Sequence, residues 1–336
     1  MTLPPVFLTR LEQIIDAADL PAVLASFEHK RETTLRVNTL KTRPDVVEKW
    51  LKENKIEYRE VKGMPLAFVL PGLTARDVSE WEFYQSGAIY LQNLSSQIPP
   101  LILQPVTGEA VLDLAAAPGS KTSQMAAMME LKGKLVANDR IYPRYKKLEA
   151  NCRNLLGADQ VKAHGFHANE LLKASEFLEL VNQPGELLGK NITNVFDKVL
   201  IDAPCSSEGQ FCLAEPKSMK YWSRHKVKEM AGKQYSLLKA AINAAKVGAT
   251  IVYSTCTFAP EENELVVNRI LRKLPGVVEI LPIGDPVSEL KNTRSGLTEW
   301  NGKLLAPELA QTLRILPDAQ FEGFYVAKLR KMTSLV

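Results

Sequence analysis

Ala110–Leu131 reads AVLDLAAAPGSKTSQMAAMMEL. A short apolar run reaches an acid at Asp113, small residues and a Pro-Gly pair make a turn, and helix-forming residues follow. That order is one strand–turn–helix unit. It recurs downstream. GKLVAND (133–139) leads into YPRYKKLEANCRNLLG (142–157), and QVKAHGF (160–166) into a helix and a looped stretch around VNQPGELLGKNITN (181–194). FDKVLIDAP (196–204) precedes a basic segment and the helix KQYSLLKAAINAA (233–245), and GATIVYST (248–255) precedes PEENELVVNRILRKL (260–274). Strands alternating with helices predict an α/β fold, a parallel sheet covered by helices on both faces. The tail differs: TLRILPD (312–318) and FEGFYVAKLRK (321–331) are two strand-like runs with no helix between them. They predict an antiparallel hairpin added to the sheet edge.

Working back toward the N-terminus, TTLRVNTL (33–40), IEYREVK (56–62) and LAFVLPG (66–72) read as short strands, and PDVVEKWLKENK (44–55) as a helix. The expected partition is a small α+β unit over 1–85, a linking helix over 86–108, and the main α/β domain over 109–336.

The 336 residues are enough for a substantial core, and 46% hydrophobic with 24% charged residues is an ordinary globular balance. No apolar run has the roughly 18 residues of a membrane span. The opening MTLPPVFLTRLEQIIDAADL carries acids and no cleavable apolar core, so no signal peptide is expected. Cys152, Cys205, Cys212 and Cys256 are too few for a disulfide framework, and their spacing matches no CxxC pair. A reducing, cytoplasmic setting, no metal, no membrane and a monomer are expected.

In an open α/β sheet the ligand lies beyond the carboxyl ends of the strands. The first such turn, Asp113 to Lys121, has one Gly and a Pro where a pyrophosphate loop needs backbone N–H groups. Ala115, Ala116, Ala117, Pro118, Gly119 and Ser120 still let a ligand lie against the chain. This suits a ligand with ribose and adenine but no phosphate, such as S-adenosyl-L-methionine (AdoMet). Asp139, at the end of the next strand, is placed to bind both ribose hydroxyls; it could equally serve as a helix cap.

VLDLAAAPGSKTSQMAAMM, LIDAPCSSEGQF, YSTCTFAPEENE, LRVNTLK and GFYVAKLRK together resemble the RNA cytosine-5 methyltransferases of the Nol1/Nop2/Sun type, in order from about Leu35 to Lys331. The wording is most similar to the bacterial ribosomal-RNA enzymes and their tRNA-modifying relatives. The resemblance implies a Rossmann-like AdoMet methyltransferase domain, an RRM-like N-terminal subdomain, and an RNA substrate, ribosomal or transfer. It also implies that Cys256 attacks C6 of the cytosine, that Cys205 assists breakdown of the adduct, and that Asp202 holds the N3 and N4 edge. Lys121 is placed to orient Asp202 or the cofactor carboxylate. Such chemistry needs a thiolate because cytosine C5 becomes enamine-like only after addition at C6. Cys152 and Cys212 read as buried small apolar residues.

In one place the sequence departs from the family pattern. Relatives carry an Asp after the third strand, on the adenine side, whereas here the run is KAHGFHANELL (162–172), which puts His167 or Asn169 near that position.

For the RNA, EPKSMKYWSRHKVKEMAGK (215–233) holds Lys217, Lys220, Arg224, Lys226, Lys228 and Lys233 against two acids, with Tyr221 and Trp222 among them. Cations neutralise phosphates and aromatic rings stack on splayed bases. KRETTLRVNTLKTR (30–43) adds five bases against one acid. Two other readings are an RNA-binding relative without catalysis and a DNA cytosine methyltransferase, which the second, Thr-Cys motif disfavours.

Overall fold

The computed structural model describes residues 2–165, 171–285 and 287–335. The chain opens with α1 (Pro5–Ile14) and α2 (Leu20–Ser26), then β1 (Thr33–Val37), α3 (Pro44–Glu53), β2 (Arg59–Val61), β3 (Met64–Leu70), α4 (Ala75–Ser79), α5 (Glu82–Gln85) and β4 (Ile89–Leu91). It continues through α6 (Leu94–Leu103), β5 (Ala110–Asp113), α7 (Ser120–Met128), β6 (Lys134–Asn138), α8 (Tyr142–Leu156), β7 (Val161–Gly165), β8 (Leu178–Val181), α9 (Gly185–Asn191) and β9 (Phe196–Asp202). The remainder is α10 (Arg224–Ala244), β10 (Ala245–Thr255), α11 (Glu264–Lys273), β11 (Val278–Leu281), β12 (Thr293–Ser295), β13 (Glu299–Trp300), β14 (Lys303–Leu304), β15 (Leu313–Ile315) and β16 (Phe324–Lys331).

Among the described residues the large sheet runs β12-β15-β16-β10-β9-β5-β6-β8-β7, with β11 also paired to β16. From β10 to β7 every pair is parallel, whereas β16 meets β10, β11 and β15 antiparallel. The result is a Rossmann-like sheet of mixed direction. Side chains alternate across it with period two. Val111, Leu135, Leu200 and Val252 pack with α6, α7 and α8 on one face. Leu112, Val136, Val199 and Ile251 pack with α9, α10 and α11 on the other. Each such side chain contributes on the order of 1.5–3 kcal/mol by leaving water.

The stretch 171–181, expected as helix and loop, instead holds β8. Leu178–Val181 is buried on both faces, as a central parallel strand must be, and its Glu179 survives there by pairing with Lys134 Nζ at 2.7 Å. The looped stretch that follows contains α9, and the linking segment 86–108 contains β4 ahead of α6.

β1–β4 form a separate antiparallel sheet in the order β2-β3-β1-β4. Leu35, Val37, Phe68 and Leu70 bury one face of it under Val47 and Leu51 of α3. α1 and α2 turn the other way. Phe7, Leu11 and Phe27 pack with Phe211, Phe258 and Trp300 of the large domain.

The LRVNTLK motif joins the two sheets. Asn38 Nδ2 donates to Leu155 O at 2.9 Å and Lys41 Nζ to Asn154 O at 2.5 Å, satisfying carbonyls at the C-terminus of α8. Arg36, 1% exposed, donates to Gln92 Oε1 and Ser123 Oγ.

Candidate active site

β5 is the switch point of the sheet: the chain leaves it toward β6, then returns through β9 on its other side. A cavity of about 780 Å³ opens beyond the carboxyl ends of these strands. The Asp113-to-Lys121 turn forms its floor. Gly119 has φ +103°, and a Cβ there would meet Leu148 Cδ1 at 3.0 Å and Cys152 Sγ at 3.3 Å, so α7 and α8 close up only over glycine. This also accounts for Cys152, which is fully buried filler. Ala115, Ala116, Ala117, Pro118 and Ser120 line the cavity.

Asp139 lies on the wall and is already engaged: Oδ1 accepts from Ile141 N at 2.9 Å and Oδ2 from Ala117 N at 3.3 Å. It therefore fixes both the turn and the start of α8. Asp113, which sequence reasoning gave no role, is buried at the end of β5. Its Oδ2 accepts from Thr122 Oγ1 at 2.7 Å, Oδ1 has no partner among the described residues, and burial pushes its carboxyl up to about 7.

QVKAHGF forms a strand, β7, as expected. His167 and Asn169 lie outside the described residues. The strand beside β6 is β8, with β7 displaced to the edge. The residue at its carboxyl end is Asn182, whose Nδ2 donates to Asp139 O at 2.6 Å. The signal for it was the short apolar run FLELV before a polar pair, which reads equally well as helix.

β9 and β10 are parallel neighbours, with Asp202 opposite Ser254. Their loops therefore leave the sheet side by side, and Cys205 Sγ and Cys256 Sγ come to 3.1 Å. Asp202 Oδ2 accepts from Lys121 Nζ at 2.7 Å and Oδ1 from Ser254 Oγ at 2.9 Å. Lys121 Nζ also donates to Ser96 Oγ at 2.6 Å. The Cys256 thiol is pushed well above the ordinary thiol range, first by its hydrogen bond with Cys205 and then by burial.

Two buried glutamates, also missed by sequence, hold these loops together. Glu208 accepts from Thr257 Oγ1 at 2.8 Å, Phe258 N at 3.1 Å and Trp222 Nε1 at 2.9 Å. Glu262 accepts from Ser206 N at 2.9 Å and Gln234 Nε2 at 2.8 Å. Each acid sits after one cysteine and grips the residue next to the other.

Around the rim, Lys217, Lys220, Arg224 and Lys228 are exposed, and Lys226 and Lys233 line the cavity mouth, both paired with Glu229. Trp222 is not a free stacking face: it packs 5.8 Å from Phe7 and 6.3 Å from Phe211 and bonds Glu208. The exposed ring is Tyr221, 78% accessible, with Lys220 Nζ over it at 5.2 Å. In 30–43, Arg31, Arg36 and Lys41 are tied to backbone carbonyls or buried polar groups, whereas Lys30 and Arg43 stay exposed beside acidic partners. Lys30 pairs with Glu215 and Arg43 with Asp45; Arg31 donates to Gly209 O and Phe321 O; Arg36 and Lys41 serve the domain clamp.

Residues 100–330 match the model of the family described as 16S rRNA methyltransferase RsmB/F. The chain belongs to this family. It is 36% identical over 307 residues to the tRNA (cytosine(49)-C(5))-methyltransferase of Pyrococcus abyssi, covering 89% of this chain and 88% of that protein. It is 33% identical over 341 residues to the ribosomal RNA small subunit methyltransferase F of Vibrio atlanticus, covering 99% of this chain but 65% of that longer protein. Among solved structures, a methyltransferase homolog protein from Pyrococcus horikoshii is 28% identical with a TM-score of 0.75, covering 98% of this chain and 100% of that one. The structure titled PH0851 is 26% identical with a TM-score of 0.79, covering 98% and 66%. Among the described residues no helix is long and apolar enough to cross a membrane, and no group of His, Cys, Asp and Glu is placed to hold a metal.

Proposed function

We propose that this RsmB/F-family chain methylates C5 of cytosine in ribosomal or transfer RNA, using AdoMet and a transient bond between cysteine and the base. The observation that carries the reading is the pair of thiols 3.1 Å apart beside the Lys121–Asp202 pair in one cavity. Family membership supports the reaction type, and the names of both relatives support RNA as the substrate.

The cavity fits the cofactor. Its floor is small-residue backbone, Asp139 presents a carboxylate for ribose hydroxyls, and Asn182 lies beside it. AdoMet, when bound, supplies an electrophilic methyl group. The chain's own residues do the rest. Cys256 Sγ bonds to cytosine C6, which makes C5 nucleophilic. Asp202 accepts from the N4 amine while Lys121, 2.7 Å away, holds the carboxylate in place. After methyl transfer Cys205, beside the adduct, takes the C5 proton, and the electron pair of that C–H bond restores the C5–C6 double bond as the Sγ–C6 bond breaks and Cys256 leaves as thiolate. The β1–β4 sheet with α3 is read as an RRM-like unit, and the β15–β16 hairpin extends the catalytic sheet behind the thiols.

Trapping on RNA containing 5-azacytidine tests the reading: a denaturation-resistant protein–RNA species that requires AdoMet is expected, and a chain that binds this RNA without ever being trapped would be a silent RNA-binding relative. Competition between RNA and DNA substrates separates the DNA alternative.

A further inference from the structure

Ser207 stands between the two cysteine loops with φ +59°. A residue with a Cβ is disfavoured in that left-handed region. Such a conformation persists only where the surroundings over-determine it, and it gathers at working sites. Here the surroundings fix it from both sides. The preceding residue, Ser206, donates its N–H to Glu262 at 2.9 Å and lies 2.8 Å by its hydroxyl from Thr257 Oγ1. The following residue, Glu208, accepts from Thr257 and Phe258. Gly209 N donates to Cys256 O at 3.0 Å. Residues 206, 208 and 209 are thus all tied to Cys256 or to the segment after it.

The constrained residue directs its hydroxyl at the thiols. Ser207 Oγ accepts from Cys256 Sγ at 3.6 Å and lies 4.0 Å from Cys205 Sγ, and all three residues line the cavity. A hydroxyl rotates between acceptor and donor. We propose that Ser207 is a thiol-positioning residue: its hydroxyl accepts from the Cys256 thiol and, once that sulfur is ionised, turns to donate to it.

The need for such a donor follows from what faces Cys256. Cys205 and Asp202 come from the β9 side and Glu322 from the segment before β16, and all oppose negative charge on the sulfur. The nearby cation, Lys121, is engaged by Asp202. Burial adds to the cost of the thiolate. A hydroxyl donor at the sulfur offsets part of that cost without adding a charge.

This assignment rests on the covalent reading of Cys256, and glycine gives a test that spares the fold. Ser207→Gly removes the hydroxyl and the Cβ, and glycine adopts φ +59° freely. Ser207→Ala removes the hydroxyl alone. The measurements, on the full chain, are melting temperature, the pH profile of iodoacetamide alkylation at the peptide bearing Cys256, and methyl transfer to RNA. Ser207→Gly is expected to melt no lower than the wild type. Its Cys256 profile should move up by about one pH unit, as for loss of one hydrogen bond to a charged group, with turnover down about tenfold and KM for RNA unchanged. Ser207→Ala should show the same displaced profile. A profile that stays in place in both variants overturns the assignment whatever turnover does, and leaves the covalent reading standing if Cys256→Ala is inactive. A Cys256→Ala protein that turns over normally would remove the covalent reading, and Ser207's role with it.

Discussion

Cys205 Sγ lies 3.1 Å from Cys256 Sγ although 51 positions separate them in the chain. The contact follows from topology: β9 and β10 are parallel neighbours, so both loops emerge at the same end of the sheet. One base can therefore meet both sulfurs. If Cys256 forms the bond to C6 and Cys205 helps break it, the two alanine variants fail differently. Cys256→Ala should bind RNA reversibly and leave no adduct. Cys205→Ala should accumulate a protein–RNA species that survives denaturing electrophoresis. A stable adduct in Cys256→Ala instead would reverse the roles.

Asp139 joins the cavity wall to the fold, since its two oxygens hold Ile141 N and Ala117 N. Asp139→Ala should weaken AdoMet binding by about 1–3 kcal/mol, from the lost ribose bonds and a looser turn. Asp139→Asn keeps an acceptor for the turn but loses the charge, and should fall between. Calorimetry giving wild-type affinity for both variants would exclude a ribose role.

The core and the thiol pair were legible because their signals are local. AVLDLA, KLVAND, DKVLIDAP and TIVYST each run apolar to a strand end, and each ends where the cavity opens. QVKAHGF was rightly read as a strand, but β8 was missed because Leu178–Val181 is short and mostly apolar, a pattern that does not separate helix from strand. Its place beside β6 is a tertiary fact, and so is the position of Asn182. Glu208 and Glu262 were visible only as acids in motif flanks; that each reaches the other cysteine's loop depends on β9 lying beside β10. Charge counting overstated the free cations of 30–43, where Lys30 and Arg43 stay exposed, and misjudged Trp222, because it records a cation or a ring without its partner. Lys41 is spent on helix-end carbonyls, and Trp222 on Phe7, Phe211 and Glu208.

The basic segment 215–233 remains the candidate RNA surface, with Tyr221 as its open ring. Lys226→Glu with Lys228→Glu should weaken RNA binding and flatten the dependence of log affinity on log salt, since fewer counterions are released. Tyr221→Ala should weaken binding by about 1–3 kcal/mol through lost stacking, with the salt slope unchanged. AdoMet affinity should not move in either. A double charge reversal that leaves the slope as it was would show these lysines to be a solvated face.

Glu262 makes stability depend on pH in a direction opposite to most carboxylates. It is fully buried, its Oε1 has no partner among the described residues, and burial raises its carboxyl to about 7. A carboxyl raised on folding holds its proton more tightly in the native state. Its contribution is complete below the unfolded value of about 4.3 and is lost as pH climbs through about 7. Asp113, also raised to about 7 by burial, acts with the same sign. The wild type should therefore lose stability between about pH 4 and pH 7, with Glu262 responsible for on the order of 1–3 kcal/mol. Glu262→Gln is neutral throughout and can still accept from Ser206 N. Its urea midpoint should fall less over that window than the wild type's, leaving the share of Asp113 and of Glu208 and Glu322, whose carboxyls burial also raises. Equal declines in the two proteins would mean that Glu262 is ionised or solvated in the native state, and the buried brace between the cysteine loops would have to be redrawn around Glu208 alone.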